Sequence, residues 1–168
     1  MMGLAEMLEA EKRIRPLPAW RPVDSGGRFR WRAEISIGDA TVEGLVLHAR
    51  TLATEPGRDV SFVLEHGPAG QSSVRIDRID WKPLTPHANK GVGRPEIRWD
   101  IYPGSHRHPY YENLKADGEL RTGNLPVAVD IEESLPTFES LVAFVAKIYR
   151  IEGLEFLQPP PWSEDLFG

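Results

Sequence analysis

The chain has 168 residues, of which 40% are hydrophobic and 27% charged, and it contains no cysteine. That length supports one folded domain with a core of its own, and the missing thiols exclude disulfides, cysteine nucleophiles and thiolate-held metals. A net charge of −5 excludes a surface that is basic throughout, yet Arg75 to Lys115 carries a local excess of three positive charges together with His87, His106 and His108.

In chain order, Leu4, Met7 and Leu8 recur at helical spacing until Pro16 and Pro18 stop the pattern, which predicts a short N-terminal helix. Glu6, Glu9 and Glu11 interrupt the apolar residues there, unlike a secretion signal, and no run is long enough to span a membrane. The expectation is a cytoplasmic protein with no membrane contact. Pro16, Pro18, Pro22 and the Gly26-Gly27 pair predict an irregular connection, so residues 1–27 read as helix plus connection.

From Phe29 the period changes to two. Phe29, Trp31, Ala33, Ile35 and Ile37 alternate with Arg30, Arg32, Glu34 and Ser36, the pattern of a strand with one wet face. Gly38-Asp39 predicts a turn, and "TVEGLVLHA" and "DVSFVLE" follow as strands. In "SSVRIDRIDW" the apolar phase slips between Ile76 and Ile79, as a bulge or a strand end would make it do. "EIRWDIY" and "PVAVDI" complete about six strands, whose short connections predict an antiparallel meander.

Thr137 is suited to cap a helix whose stripe is Phe138, Leu141, Val142, Val145, Ile148 and Tyr149, with Gly153 as its stop. The fold class is therefore α+β. A twisted antiparallel sheet carries this C-terminal helix on one face, within a single domain at 28–157. Residues 158–168 form a separate tail in which Pro159, Pro160 and Pro161 enforce an extended rod. Its Trp162, Leu166 and Phe167 either wrap back on the domain or anchor a protein partner.

The chemistry concentrates in "SHRHPYYEN". His106 and His108 suit general acid and base work because histidine titrates near neutrality. Arg107 can hold a phosphate, and Tyr110 or Tyr111 can stack on an unpaired base. The same pair, joined by His87, Asp100 or Glu112, is also permissive for zinc, but no diagnostic metal motif occurs. The reading therefore assigns no metal and no cofactor. His48 and His66, at strand ends, read as structural.

"VRIDRIDWKPLTPHANKG", "WDIYPGSHRHPYYEN" and "LPTFESLVAFVAKIYRI", in that order, resemble the TumE-like toxins of bacterial toxin–antitoxin loci and related small bacterial proteins. The matching residues are Arg75, Asp77, His87, Asn89, Lys90, His106, His108, Thr137, Phe138 and Glu139, over roughly residues 58–153. "WKPLTPHA" is longer and richer in proline than that pattern, and a polar loop follows His108. The resemblance implies a toxin-like protein acting on RNA without a metal. His106 and His108 would then be catalytic, with Arg75, Lys90 and Arg107 on phosphate, Tyr110 and Tyr111 on bases, and Asp77, His87 and Asn89 as a further polar site.

The alternative is a non-enzymatic interaction module, such as an antitoxin, a phage or plasmid accessory protein, or a defence inhibitor. It would act through the acidic surface and the tail. The partners expected are RNA and a cognate antitoxin or target complex, with self-association also open.

Overall fold

The computed structural model describes residues 2–23, 27–121 and 123–162. Helix α1 (Leu4–Glu9) and strands β1 (Lys12–Arg13) and β2 (Arg21–Val23) precede a four-stranded meander. The meander consists of β3 (Arg28–Ile37), β4 (Ala40–Leu52), β5 (Val60–His66) and β6 (Val74–Trp81). Then come β7 (His87–Ala88), β8 (Ile101–Tyr102), β9 (His106–His108), β10 (Val129–Asp130), α2 (Phe138–Tyr149) and β11 (Ile151–Glu152).

The main sheet has nine strands rather than about six, in the order β10-β9-β6-β5-β4-β3-β1-β11, with β2 also on β3. All its pairings are antiparallel except β1 with β11. The extra strands are two or three residues long, too short for a period of two to reveal them. Two of them, β1 and β2, lie within residues 1–27, expected to be a helix and an irregular connection.

Alternation sends Trp31, Ala33, Leu47, Ala49, Phe62, Leu64, Ile79 and Trp81 to one face, where each is 3% exposed or less. Helix α2 lies on that face and buries Phe138, Leu141, Val142, Phe144, Val145 and Tyr149 against it. Ile37 pairs with Ala40 across the Gly38-Asp39 turn, where Gly38 takes φ 65°. The slip in β6 is a bulge: Leu64 pairs with Asp77 and Glu65 with Arg75, leaving Ile76 as the extra residue. Beyond it, Asp77, Ile79 and Trp81 face α2 while Arg78 and Asp80 face the other way.

Two expected strands are mostly something else. Within "EIRWDIY" the N–H groups of Ile97 and Arg98 both donate to the Arg94 carbonyl and close a turn, so only β8 remains extended. Trp99 and Ile101 are 75% and 65% exposed, so their alternation with Ile97 marks no buried face. In "PVAVDI" only β10 pairs, because side chains replace the partner strand before it. Asn113 Oδ1 accepts from Val127 N–H, and Asn89 Oδ1 accepts from Ala128 N–H.

Thr137 caps α2 by accepting from Ser140 N–H, and Ser140 answers by accepting from Thr137 N–H. The helix stops before Gly153, at Arg150, which takes the left-handed conformation with φ 54°. Lys12, 2% exposed, serves two helix ends at once. Its Nζ donates to Leu8 and Ala10 carbonyls at the end of α1 and to Tyr149 O at the end of α2, at 2.6–2.8 Å. Burial, with Arg150 nearby, lowers its pKa to about 8, so it stays mostly charged at neutral pH. Lys12→Met strands three carbonyls and is expected to cost about 2 kcal/mol in urea unfolding; an unchanged midpoint would remove this capping role.

The tail returns to the domain as far as it is described. Gln158 O accepts from Trp20 Nε1, and Trp162 Nε1 donates to Leu52 O at 3.1 Å. The Trp162 ring meets Phe138 edge-on at 6.1 Å. Trp162 is thus a half-buried part of the domain surface rather than a free anchor, while Leu166 and Phe167 lie outside the described residues. No helix among the described residues is long and apolar enough to cross a membrane.

Candidate functional site

The face of the sheet opposite α2 carries the polar residues of the alternating strands, and register lines them up. One row runs Arg30, Arg50, Ser61, Asp80, His106, each directly opposite the next on the neighbouring strand. The next row runs Arg32, His48, Val63, Arg78, His108. Because cross-strand neighbours share a face, His106 and His108 meet the second of the chain's two Arg-Ile-Asp triplets, Arg78 to Asp80.

Asp80 is the centre of the cluster and is only 3% exposed. Its Oδ1 accepts from Ser61 Oγ at 2.6 Å and from Arg78 Nε at 2.8 Å. Its Oδ2 lies 2.6 Å from Arg78 Nη2, 3.1 Å from His106 Nε2 and 3.3 Å from His108 Nε2. Burial alone would raise the Asp80 pKa, but His106, His108 and the Arg78 guanidinium around it outweigh that and hold the carboxyl far below its usual range.

His87 reaches the same place from β7, which pairs with β8 as a separate two-stranded sheet. Its ring centroid lies 4.6 Å from that of His108 and 5.5 Å from that of His106. One ring nitrogen from each of the three histidines falls within 4.8 Å of the others. Burial, with His108 close by, lowers the pKa of His87, which favours the neutral ring.

The rings are held by backbone. His106 Nδ1 donates to Gly104 O at 2.8 Å, His108 Nδ1 to Leu125 O at 2.7 Å, and His87 Nε2 to Pro126 O at 2.9 Å. The carbonyls of Leu125 and Pro126 stand where they do because Asn113 and Asn89, 0% and 1% exposed, clamp the next two residues. Asn113 Nδ2 donates to Val127 O and Asn89 Nδ2 to Ala128 O.

His87, His106 and Asp80 form part of the wall of a cleft of about 440 Å³. Arg28, Arg50 and Arg78 also line it. Among the described residues, neither Arg28 nor Arg50 has a carboxylate within ion-pair distance. Partial burial lowers the pKa of Arg50, and the neighbouring Arg78, Arg75 and Arg28 add to that. A cleft of this size with three guanidiniums on its wall is suited to an anion with the bulk of a nucleotide.

The other sequence-derived site residues are placed elsewhere. Arg107 points to the α2 face, where Nε and Nη2 grip Asp77 at 2.9 and 2.8 Å. Asp77, 0% exposed, also accepts from Tyr149 OH and from Tyr110 N–H. Burial, with Asp77 beside it, pushes the Tyr149 phenol well above its ordinary pKa, so it remains a donor. Tyr110 and Tyr111 stack edge to face on that side of the sheet, and Tyr111 OH donates to Glu9 of α1. Arg107 and Asp77 therefore belong to the α2 side rather than the histidine cleft, because odd spacing on an extended strand reverses the face, while Tyr110 and Tyr111 lie past the end of β9, at the start of a short 3-10 turn.

Arg75 shares the polar face but bonds Asn124 beyond the cleft, and Lys90 is exposed on a small cavity beyond His87 with Pro86, Asn89 and Pro126. Asp80, Arg78, Ser61, Arg50, Arg28 and Asn113 are the residues the sequence reading left out of the site. The cue available for them was the polar phase of the alternating strands. No family model, no curated protein and no solved structure matches the chain, so the site's chemistry rests on its own geometry.

Proposed function

We propose that this chain is a phosphoesterase acting on RNA, with the cleft between the arginines and the histidine–aspartate cluster as its active site. The observation that carries this is the single row from Arg50 through Ser61 and Asp80 to His106. Three strand spacings separate Arg50 from His106, roughly 14 Å between backbones, which leaves room for a phosphate gripped by guanidinium on one side and met by the cluster on the other. Guanidinium groups placed on phosphate oxygens stabilise the charge that builds on them during displacement. Trp99, 75% exposed on the same β7–β8 unit as His87, offers an aromatic face for a base.

The roles differ from a free acid–base pair. His106 and His108 both turn Nε2 toward one carboxylate oxygen and are 2% and 1% exposed, so they do not flank a substrate from opposite sides. The cluster acts as one unit at one side of the phosphorus. A toxin-like role in the cytoplasm remains the biological setting that the resemblance implies.

The test is cleavage of a labelled single-stranded RNA oligonucleotide by the purified chain, with Arg50→Ala and Trp99→Ala beside it. Arg50 is exposed, so its loss is expected to leave the thermal midpoint unchanged and to weaken kcat/KM by about tenfold to a hundredfold, the worth of one charged phosphate contact. Trp99→Ala is expected to raise KM by roughly fivefold to tenfold through lost stacking. No cleavage of RNA by the intact chain, or full activity in Arg50→Ala, would overturn the assignment.

A further inference from the structure

We infer that His87, His106 and His108, with Asp80 beside them, bind one divalent transition-metal ion of the zinc class. The inference goes beyond the cleavage reading, since it needs only these four side chains and the backbone that orients them. It also replaces the sequence expectation of no metal, which rested on the lack of a recognisable motif.

A neutral imidazole carries one N–H, and a backbone carbonyl can only accept. His106 and His108 spend that proton at Nδ1, on Gly104 O and Leu125 O, so both Nε2 atoms present bare lone pairs. His87 spends its proton at Nε2, between Pro126 O and Asn89 Oδ1, leaving Nδ1 bare. The Asn89 oxygen is identified by its amide nitrogen, which already donates to Ile97 O and Ala128 O.

One nitrogen of each ring falls within 4.8 Å of the other two, and Asp80 Oδ2 lies 3.1 and 3.3 Å from the bare Nε2 atoms of His106 and His108. His108 Nε2 is fully buried and has no hydrogen-bond partner, the kind of orphan that native interiors rarely leave without a reason. The His106 and His108 ring centroids lie only 5.0 Å apart. A single cation answers all of these lone pairs at once.

The donors select its class. Neutral imidazoles with one carboxylate suit zinc and its neighbours rather than magnesium or calcium, which prefer all-oxygen shells. Ligating histidines characteristically donate their other N–H to a backbone carbonyl, as all three do here. Tetrahedral zinc ligands stand roughly 3.3 Å apart, so nitrogens already within 4.8 Å of one another need only small ring movements to meet an ion. His87 and His106 also border the cleft, so an ion held there faces the space assigned to the phosphate, where it would lower the pKa of a bound water.

The experiment uses the full chain prepared without a histidine tag, stripped with a chelator, dialysed, and titrated with zinc chloride by calorimetry and with cobalt(II) by visible absorption. One equivalent of zinc and the intense visible bands of four-coordinate cobalt are expected. His106→Ala and His87→Ala should each weaken zinc binding by at least about a hundredfold, while His48→Ala and His66→Ala leave it unchanged. His87 sits in the small second sheet, so its variant remains informative if His106→Ala fails to fold. Zinc binding that survives His87→Ala, or no stoichiometric binding by the folded chain, would overturn the inference.

RNA cleavage by the stripped chain without any zinc binding would sink this site and leave the phosphoesterase reading standing. Zinc bound through these histidines with no cleavage of any RNA would do the reverse.

Discussion

Asp80→Ala is expected to abolish RNA cleavage, by a factor of about a thousand or more, and to lower stability by roughly 3 kcal/mol. Both effects have one cause. The carboxylate is the acceptor for Ser61 and both arms of Arg78, and it faces His106 and His108. Removing it leaves a cationic guanidinium and two oriented imidazoles around a hole. Breaking a buried pair costs about 3–5 kcal/mol because the surviving charge remains poorly solvated. Arg78 keeps 20% of its side-chain surface exposed, so water recovers part of that and the lower figure is the expected one.

Urea unfolding gives the stability, and cleavage is read well below the variant's midpoint so that only folded protein is compared. Asp80→Asn separates the two effects. It keeps the shape and some hydrogen bonding, so it should unfold nearer the parent while still losing most cleavage. Parental cleavage by Asp80→Asn would place the reaction elsewhere.

Arg107→Ala is expected to do the opposite: a loss of about 3–5 kcal/mol in stability with cleavage per folded molecule unchanged within about threefold. Asp77 is wholly buried, and Arg107 is its only cationic partner among the described residues. Without it, Tyr149 OH and Tyr110 N–H alone must hold a buried charge. The residue lies between His106 and His108 in sequence but faces α2, whereas the reading that put it on phosphate demands a large loss of cleavage. A strong activity defect in fully folded Arg107→Ala would restore that reading and discredit the two-faced arrangement of β9.

Local patterns were legible wherever one residue's neighbours in sequence are also its neighbours in space. The alternation from Phe29 to Ile37 made β3 readable, the phase slip announced the bulge at Ile76, and the stripe from Phe138 to Tyr149 announced α2. The short strands β1, β2 and β11 were not legible, because two or three residues cannot display a period and pairing alone makes them strands. Nor was the end of α2. Arg150 adopts a conformation more usual for glycine and sends the chain into β11 beside β1.

The site divides in the same way. Its histidines could be named from residue type: His106 and His108 stand two apart on a strand, which sends both rings to one face, and His87 matched the loose resemblance. Which Arg-Ile-Asp triplet meets them is a matter of register across β6 and β9, and Asp77 and Asp80, three residues apart, face opposite ways. The tautomers of the three rings depend on the carbonyls of Gly104, Leu125 and Pro126, placed partly by Asn89 and Asn113 from distant loops. Composition and periodicity carry one face of each strand at a time. The meeting of Arg50, Ser61, Asp80 and His106 comes from four different strands, and only backbone hydrogen bonding between those strands brings it about.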